Sequence, residues 1–254
     1  MLVTKTREHL IAEALRRGWT VGDSQFDRIY PRPIQVASSR FWTPVAVSLT
    51  AAAWLREAEH HSVLDVGAGA GKFCIVTNLA SGCVAHGVEQ RSQLVEAAFA
   101  AAATYGAEVN VVLGTIQSID PAAFSAFYLY NPFGENHHTE SERLDDAVEL
   151  SPERCARDLA CVEGWLDAAA AGTCVLTYHG FGGRIPDTYD LVRTRNSQAG
   201  SLHMWIKQRS GRASGFYLEI GELVLSSEQL ETLSKRVTQS CRASVRELLD
   251  RPLG

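Results

Sequence analysis

The chain lacks any C-x-x-C pair. Its six cysteines are Cys74, Cys83, Cys155, Cys161, Cys174 and Cys241. Most sit inside apolar runs, where a thiol behaves as a small buried hydrophobe. This usage fits a reduced, cytoplasmic protein better than a secreted one. No uncharged apolar run approaches the ~18 residues that span a bilayer, so no membrane partner is expected. The N-terminus is charged and lacks the apolar core of a signal peptide. Positive charge is not in excess: 24 Lys and Arg face 29 Asp and Glu, for a net charge of −5. That balance argues against broad nucleic-acid binding, although a local basic patch is compatible with it. Repeats and Gly-, Ser- or Pro-rich linkers are absent. The only biased tract is the alanine-rich segment 97–103.

What is present is an ordinary globular composition, 46% hydrophobic and 21% charged, over 254 residues. One α/β domain with decorations accounts for that length. Residues 1–18 have the spacing of an amphipathic helix. Residues 19–42 are aromatic and carry Pro31 and Pro33, which predicts irregular structure. A helix follows to about His60, with Thr43 as N-cap and Pro44 at its first position. Strands then alternate with helices: "SVLDVG", "CVAHGVE", "VNVVLG", "AFYLYNP" and "TCVLTYHG" are the strands. Between the last two, "SPERCARDLACVEGWLDAAAAG" is a long helix capped by Ser151. Alternation at this spacing predicts βαβ crossovers and a parallel sheet, and short strands such as "VNVVL" suit a sheet covered on both faces. "SLHMWIKQR" and "SGFYLEIGELVL" flank "SGRA", which predicts an antiparallel hairpin. Leu230, Leu233, Val237, Cys241, Val245 and Leu248 share one face of a closing helix. The expected fold is therefore α/β: a Rossmann-like, doubly wound, mostly parallel sheet with a C-terminal antiparallel hairpin and an N-terminal helical cap. The expected division is a cap over 1–60, a core over 61–225 and a helix over 226–254.

The informative stretch is "VLDVGAGAGKF", from Val63 to Phe73. A phosphate loop needs G-x-x-x-x-G-K-[ST]. Here Gly67 to Gly71 is one residue short, and Phe73 replaces the magnesium-binding hydroxyl. A dinucleotide turn needs G-x-G-x-x-G, but the third glycine position holds Lys72. The pattern Asp65-x-Gly67-x-Gly69-x-Gly71 instead resembles motif I of class I S-adenosylmethionine (SAM)-dependent methyltransferases. SAM carries no phosphate to cradle, and glycines let backbone approach it closely. The resemblance implies that Asp65 sits near the methionyl ammonium. Glu89 ends the second strand about 20 residues beyond the turn, where an acid accepts hydrogen bonds from ribose hydroxyls. Gln90 follows it. Many members of the family place an acid near the adenine after the third strand. This chain has "GTIQSID" there, which leaves Thr115, Ile116 and Gln117 to meet the base. "FWTPVAVS" is similar to the segment that passes over the methionine end in several members, so Trp42 and Thr43 are candidate contacts.

The fourth strand ends in "YLYNPFGENHH". Asn131-Pro132-Phe133 resembles motif IV, [DNS]-P-P-[YFW], of methyltransferases that act on amino and amide nitrogen, with one proline missing. In that motif the polar side chain accepts from the attacking nitrogen and the aromatic ring packs on the reacting group. Asn131 also fits a simple turn before proline. Tyr130, Phe133 and Tyr178 are aromatic faces at strand ends, able to hold a sulfonium. Tyr178 and His179 can also orient or deprotonate a substrate. His137 and His138 sit in an acid-rich stretch that reads as a solvated lid over the pocket, with Arg28, Tyr30 and Arg32 as the opposite wall. Adjacent histidines rarely share one ion, and no metal is expected.

The resemblance implies a SAM-dependent methyltransferase with SAM as co-substrate. The acceptor is expected to be a small molecule attacked at nitrogen, with no nucleic acid. Asn131, Phe133 and Tyr178 are the expected catalytic residues. Thr43, Asp65, Gly67, Gly69 and Gly71, with Glu89, Gln90, Thr115, Ile116 and Asn131, are the expected cofactor contacts. Two alternatives use the same pocket: a cyclase that turns SAM into azetidine-2-carboxylate and methylthioadenosine, and a non-catalytic SAM-binding module.

Overall fold

The structure is a computed structural model. It describes residues 6–198 and 200–209 in full, and the backbone of 219–220 and 223–224. The helices are α1 (Arg7–Arg16), α2 (Asp23–Phe26), α3 (Arg32–Phe41), α4 (Val45–Glu57), α5 (Lys72–Ser81), α6 (Ser92–Tyr105) and α7 (Pro152–Ala168). The strands of the main sheet are β1 (Ser62–Val66), β2 (Val84–Glu89), β3 (Val109–Leu113), β4 (Ala126–Leu129), β5 (Cys174–Tyr178), β6 (Tyr189–Ser197) and β7 (Gly200–Lys207). Two short strands, β8 (Glu219–Ile220) and β9 (Leu223–Val224), pair with each other.

The seven-stranded sheet has the order β3-β2-β1-β4-β5-β7-β6. The first five are parallel, while β7 runs antiparallel to both β5 and β6. The strand order reverses between β1 and β4, and ligands of such sheets sit at that point, outside the carboxyl ends of the strands. Side chains alternate between faces. Val63, Ala85, Tyr128 and Leu176 pack under α4, α5 and α6, together with Ile11 and Leu15 of α1. Leu64, Val88, Phe127 and Val175 pack against Cys155, Val162 and Leu166 of α7. The cap thus joins the core of the sheet rather than forming a separate body.

Several expectations need revision. Segment 19–42 is mostly helical, because Pro31 is the N-cap of α3 and Pro33 falls in its first turn, where the missing N–H costs no helical bond. Thr43 does not cap α4. Its hydroxyl bonds the Tyr128 hydroxyl at 2.9 Å, and Asp23 accepts from the Val45 N–H instead, at 2.9 Å. β7 pairs on its two edges with β5 and β6, the latter a polar strand without a clear sequence signal, and not with the segment after "SGRA". That turn and the closing helix lie outside the described residues. Val112 and Leu113 are exposed among the described residues, because β3 is the edge strand and α7 packs over the sheet centre. The five described cysteines are free thiols, and no described helix is long and apolar enough to cross a membrane.

Candidate active site

One cleft opens at the carboxyl ends of β1, β2 and β4. The glycine turn after β1 forms its floor. Gly67 and Ala68 both donate their N–H to the Val88 carbonyl at 3.0 Å, which folds the turn back over β2. Gly67 (φ +77°) and Gly69 (φ +55°) are in the left-handed region, which glycine adopts without strain. They are also tightly covered. A Cβ on Gly67 would lie 3.3 Å from Pro132 Cβ, and one on Gly69 would lie 1.8 Å from Trp42 Nε1. The turn therefore touches the Asn131-Pro132-Phe133 segment on one side and the cap tryptophan on the other.

Glu89 is 6% exposed and both of its oxygens are engaged. Oε2 accepts from the Gly69 N–H and Oε1 from the Arg91 N–H, each at 2.9 Å. Burial raises its pKa, and those backbone donors oppose the rise. Each oxygen keeps a lone pair for a further donor. Gln90, Thr115 and Ile116 line the next stretch of the cleft. Asn131 and Phe133 line its other end beside Tyr130. Asn131 adopts φ +40°, a strained conformation for a residue with a side chain. Its N–H donates to the Gly180 carbonyl at 2.9 Å, which ties the ends of β4 and β5 together.

Four expected site residues do not line the cleft. Asp65 faces the other side of the sheet from Val66, beneath α5, where the Cys74 thiol donates to it at 3.6 Å. Tyr178 is 1% exposed on that same face and backs Tyr130, with ring centroids 5.0 Å apart. Gly71 N-caps α5 and abuts Ala98 of α6. Thr43 is spent on Tyr128. Strand alternation accounts for Asp65 and Tyr178, and tertiary contacts account for the other two.

Burial pushes the Asp65 carboxyl up to about 7, the Cys74 thiol opposes the rise and the Glu89 charge adds to it. A folded pKa above the unfolded one means that the native state keeps a proton the unfolded chain releases. Stability is then lost as pH climbs from about 4 to about 7, by on the order of 4 kcal/mol for a three-unit shift. Asp65→Asn removes this slope. Thermal melts should show the variant gaining on the parent at pH 8, with the gap closing toward pH 4. Parallel melting curves across that range would refute the assignment.

As expected, the acid-rich stretch is largely solvated, with none of residues 137–150 buried, although two acids of the segment are tied to the core. Arg91, on β2's exit and itself buried, bonds Glu135 at 3.0 Å and Asp145 at 2.7 Å. Those acids are consumed in clamping segment 133–150 to the core. His137 meets the Cys155 thiol at 3.4 Å, and His138 lies near the Phe41 ring. Among the described residues no His, Cys, Asp and Glu cluster is arranged to hold a metal. Tyr30 is buried under the turn, donating to the Ala70 carbonyl at 2.9 Å, and is not a cleft wall. Arg28 and Arg32 line a separate cavity beyond Trp42.

Other cleft residues were not anticipated. Arg154 and Asp158 of α7 close the end beside Thr115 and Ile116. Asp158 is buried, accepts from Gln117 at 2.8 Å and lies 3.5 Å from Arg154. Its only sequence signal is an acid on the apolar side of an amphipathic helix.

Among solved structures of similar shape is a Salinibacter ruber RNA methyltransferase in complex with S-adenosyl-L-homocysteine. It is 17% identical over 72% of this chain and 96% of its own, with a TM-score of 0.46. The 16S rRNA methylase RmtB matches at 14% identity over 81% of this chain and 76% of its own, with a TM-score of 0.47. A Staphylococcus aureus protein assigned as a caffeoyl-CoA O-methyltransferase matches at 12% identity over 79% and 98%, with a TM-score of 0.49. No family model and no curated protein matches the sequence. The likeness lies in the fold, the Rossmann-like fold of class I SAM-dependent methyltransferases. None of the three is described as a SAM cyclase. RNA methyltransferases stand among these structures, which corrects the expectation of a small-molecule acceptor and no nucleic acid. The part of that expectation that excluded nucleic acid rested on net charge, an average that hides how charge is distributed.

Proposed function

We propose that the chain is a SAM-dependent methyltransferase that delivers the methyl group to a nitrogen nucleophile. The observation that carries the reading is convergence: the glycine turn, the Glu89 carboxylate and Asn131-Pro132-Phe133 all border one cleft, with Gly67 packed against Pro132. In this reading the ribose hydroxyls donate to Glu89, and the adenine lies along Gln90, Thr115 and Ile116. Asp158 supplies the adenine-side acid that the segment after β3 lacks. The methionyl end lies over Gly67 and Gly69, and Asp65 contributes a negative charge from behind the turn when ionised. Gly71, Thr43 and Tyr178 support this arrangement without touching the ligand.

SAM supplies a methyl group on a sulfonium, already a good leaving group. The nitrogen lone pair forms the new N–C bond as the C–S bond breaks, and that electron pair stays on sulfur as S-adenosylhomocysteine. The surplus proton on nitrogen passes to solvent. The chain's part is to align the two reactants and exclude water. The Asn131 amide oxygen accepts from the attacking nitrogen, and Tyr130 and Phe133 face the sulfonium, a contact worth about 0.5–2 kcal/mol.

Calorimetric titration with S-adenosylhomocysteine should give single-site binding. A clean titration by NADH or ATP with none by S-adenosylhomocysteine would overturn the reading. Methyl-labelled SAM offered with nitrogen and hydroxyl acceptors should label the nitrogen ones. Label appearing only on oxygen would remove the nitrogen assignment.

A further inference from the structure

A second cavity, of about 570 Å³, lies under the cap on the far side of Trp42 from the cleft. That volume falls within the ~300–1,000 Å³ of small-ligand sites. Most of the residues that line it are polar or charged, with Trp42 and Pro44 the exceptions. Its floor is Lys72, which is 2% exposed. The ammonium lies 2.6 Å from Asp23 Oδ1 and 2.9 Å from Asp27 Oδ1, and donates to Ser38 Oγ at 3.1 Å. Lys72 thus pairs with both acids, and Asp23 also takes the Val45 N–H, while Asp27 Oδ1 makes no hydrogen bond beyond that ion pair.

What remains uncommitted is mostly donors. Arg28 and Arg32 border the cavity, both exposed, and neither has a carboxylate partner among the described residues. Arg32 makes one long bond, 3.5 Å, to Gln35 Oε1. The Ser24 and Ser39 hydroxyls have no hydrogen bond among the described residues, and Ser38 keeps its own proton to donate. The surrounding charge agrees. Residues 1–60 hold eight of the 24 basic residues and six of the 29 acidic ones, so the cap carries a small positive charge on an otherwise acidic chain.

We propose that this cap cavity is an anion subsite that holds a phosphate group of the methyl acceptor through Arg28 and Arg32. The inference rests on the methyltransferase reading above. Guanidinium forks match phosphate oxygens, and serine hydroxyls complete such a site. Trp42 borders both the cavity and the cleft, so an acceptor anchored by its phosphate here has its reacting end near Gly69.

The test compares the full chain with its Arg28→Ala/Arg32→Ala variant. The probes are a short fluorescein-labelled oligouridylate and inorganic phosphate, both at low salt. Fluorescence anisotropy should show oligouridylate binding weakened roughly tenfold in the variant, with the salt slope reduced by about 1.4, the value for two single-strand contacts. Arg28→Lys/Arg32→Lys should recover part of the loss. If inorganic phosphate fails to displace the oligonucleotide, the anchored group is a phosphodiester. If inorganic phosphate itself binds with the same arginine dependence, the site takes a free phosphate. Equal binding by parent and variant, or binding of neither probe, overturns the proposal. S-adenosylhomocysteine titration reports separately on the cleft. It should be unchanged in both variants, and its absence in the parent would refute the methyltransferase reading instead.

Discussion

Lys72→Met should destabilise the protein by about 3–5 kcal/mol, the usual cost of removing one partner from a buried ion pair. The lysine stands at the first position of α5 with its ammonium sealed beneath the cap. Asp27 is itself buried and would be left without its cation. Asp23 reaches the same ammonium while holding the first N–H of α4, so the loss spreads to that helix. Methionine replaces the aliphatic stem and leaves the packing largely intact, so the charge is what the experiment removes. Urea denaturation should show the lowered midpoint, and hydrogen exchange should show α1–α3 opening first. Adding Asp27→Asn should recover part of the loss, because it deletes the stranded charge. A Lys72→Met variant within about 1 kcal/mol of the parent would show that the cluster is structurally idle.

Glu89→Ala should weaken S-adenosylhomocysteine binding by about two to four orders of magnitude. Hydrogen bonds to a charged acceptor contribute ~1.5–3 kcal/mol each, and the two ribose hydroxyls lose both. The substitution also frees the Gly69 and Arg91 N–H groups that the carboxylate holds. Calorimetry measures the loss, and a melt confirms that the fold persists. Glu89→Gln should fall between parent and alanine, since one amide oxygen still accepts. Burial raises the Glu89 pKa, so the parent's affinity should decline as acidification protonates that carboxyl. An alanine variant within about threefold of the parent would remove Glu89 from the ligand.

Much of the core was readable because local signals coincide there. β1, β2, β4 and β5 are short apolar runs bounded by turn residues, and α7 begins at a serine that does accept from the Arg154 N–H. Segment 19–42 differs from its expectation because proline breaks a helix only in its interior, and Pro31 and Pro33 fall at the start of α3, where a helix tolerates them. β6 was missed because "YDLVRTRNS" is polar on an exposed edge, and its partner β7 supplies the pairing. At the site, Gly67, Gly69 and Glu89 were legible from spacing along one strand–turn–strand unit. Asp158 and Arg154 were not, since they arrive from a helix about 40 residues further on.

The parallel architecture and the strand ends that carry the glycine turn, Glu89 and Asn131 follow from local sequence pattern alone. Those features depend on periodicity and turn chemistry, which act over a few neighbouring residues. Which side chains reach the cleft depends on packing between distant elements. Alternation across the sheet turned Asp65 and Tyr178 away, and packing brought α7 to the adenine end. Burial set the charges, joining Lys72 to Asp23 and Asp27 while leaving Arg28 and Arg32 without a carboxylate partner among the described residues. Pairing of charges depends on distance in space, and residues 45 positions apart along the chain can meet only once it has folded.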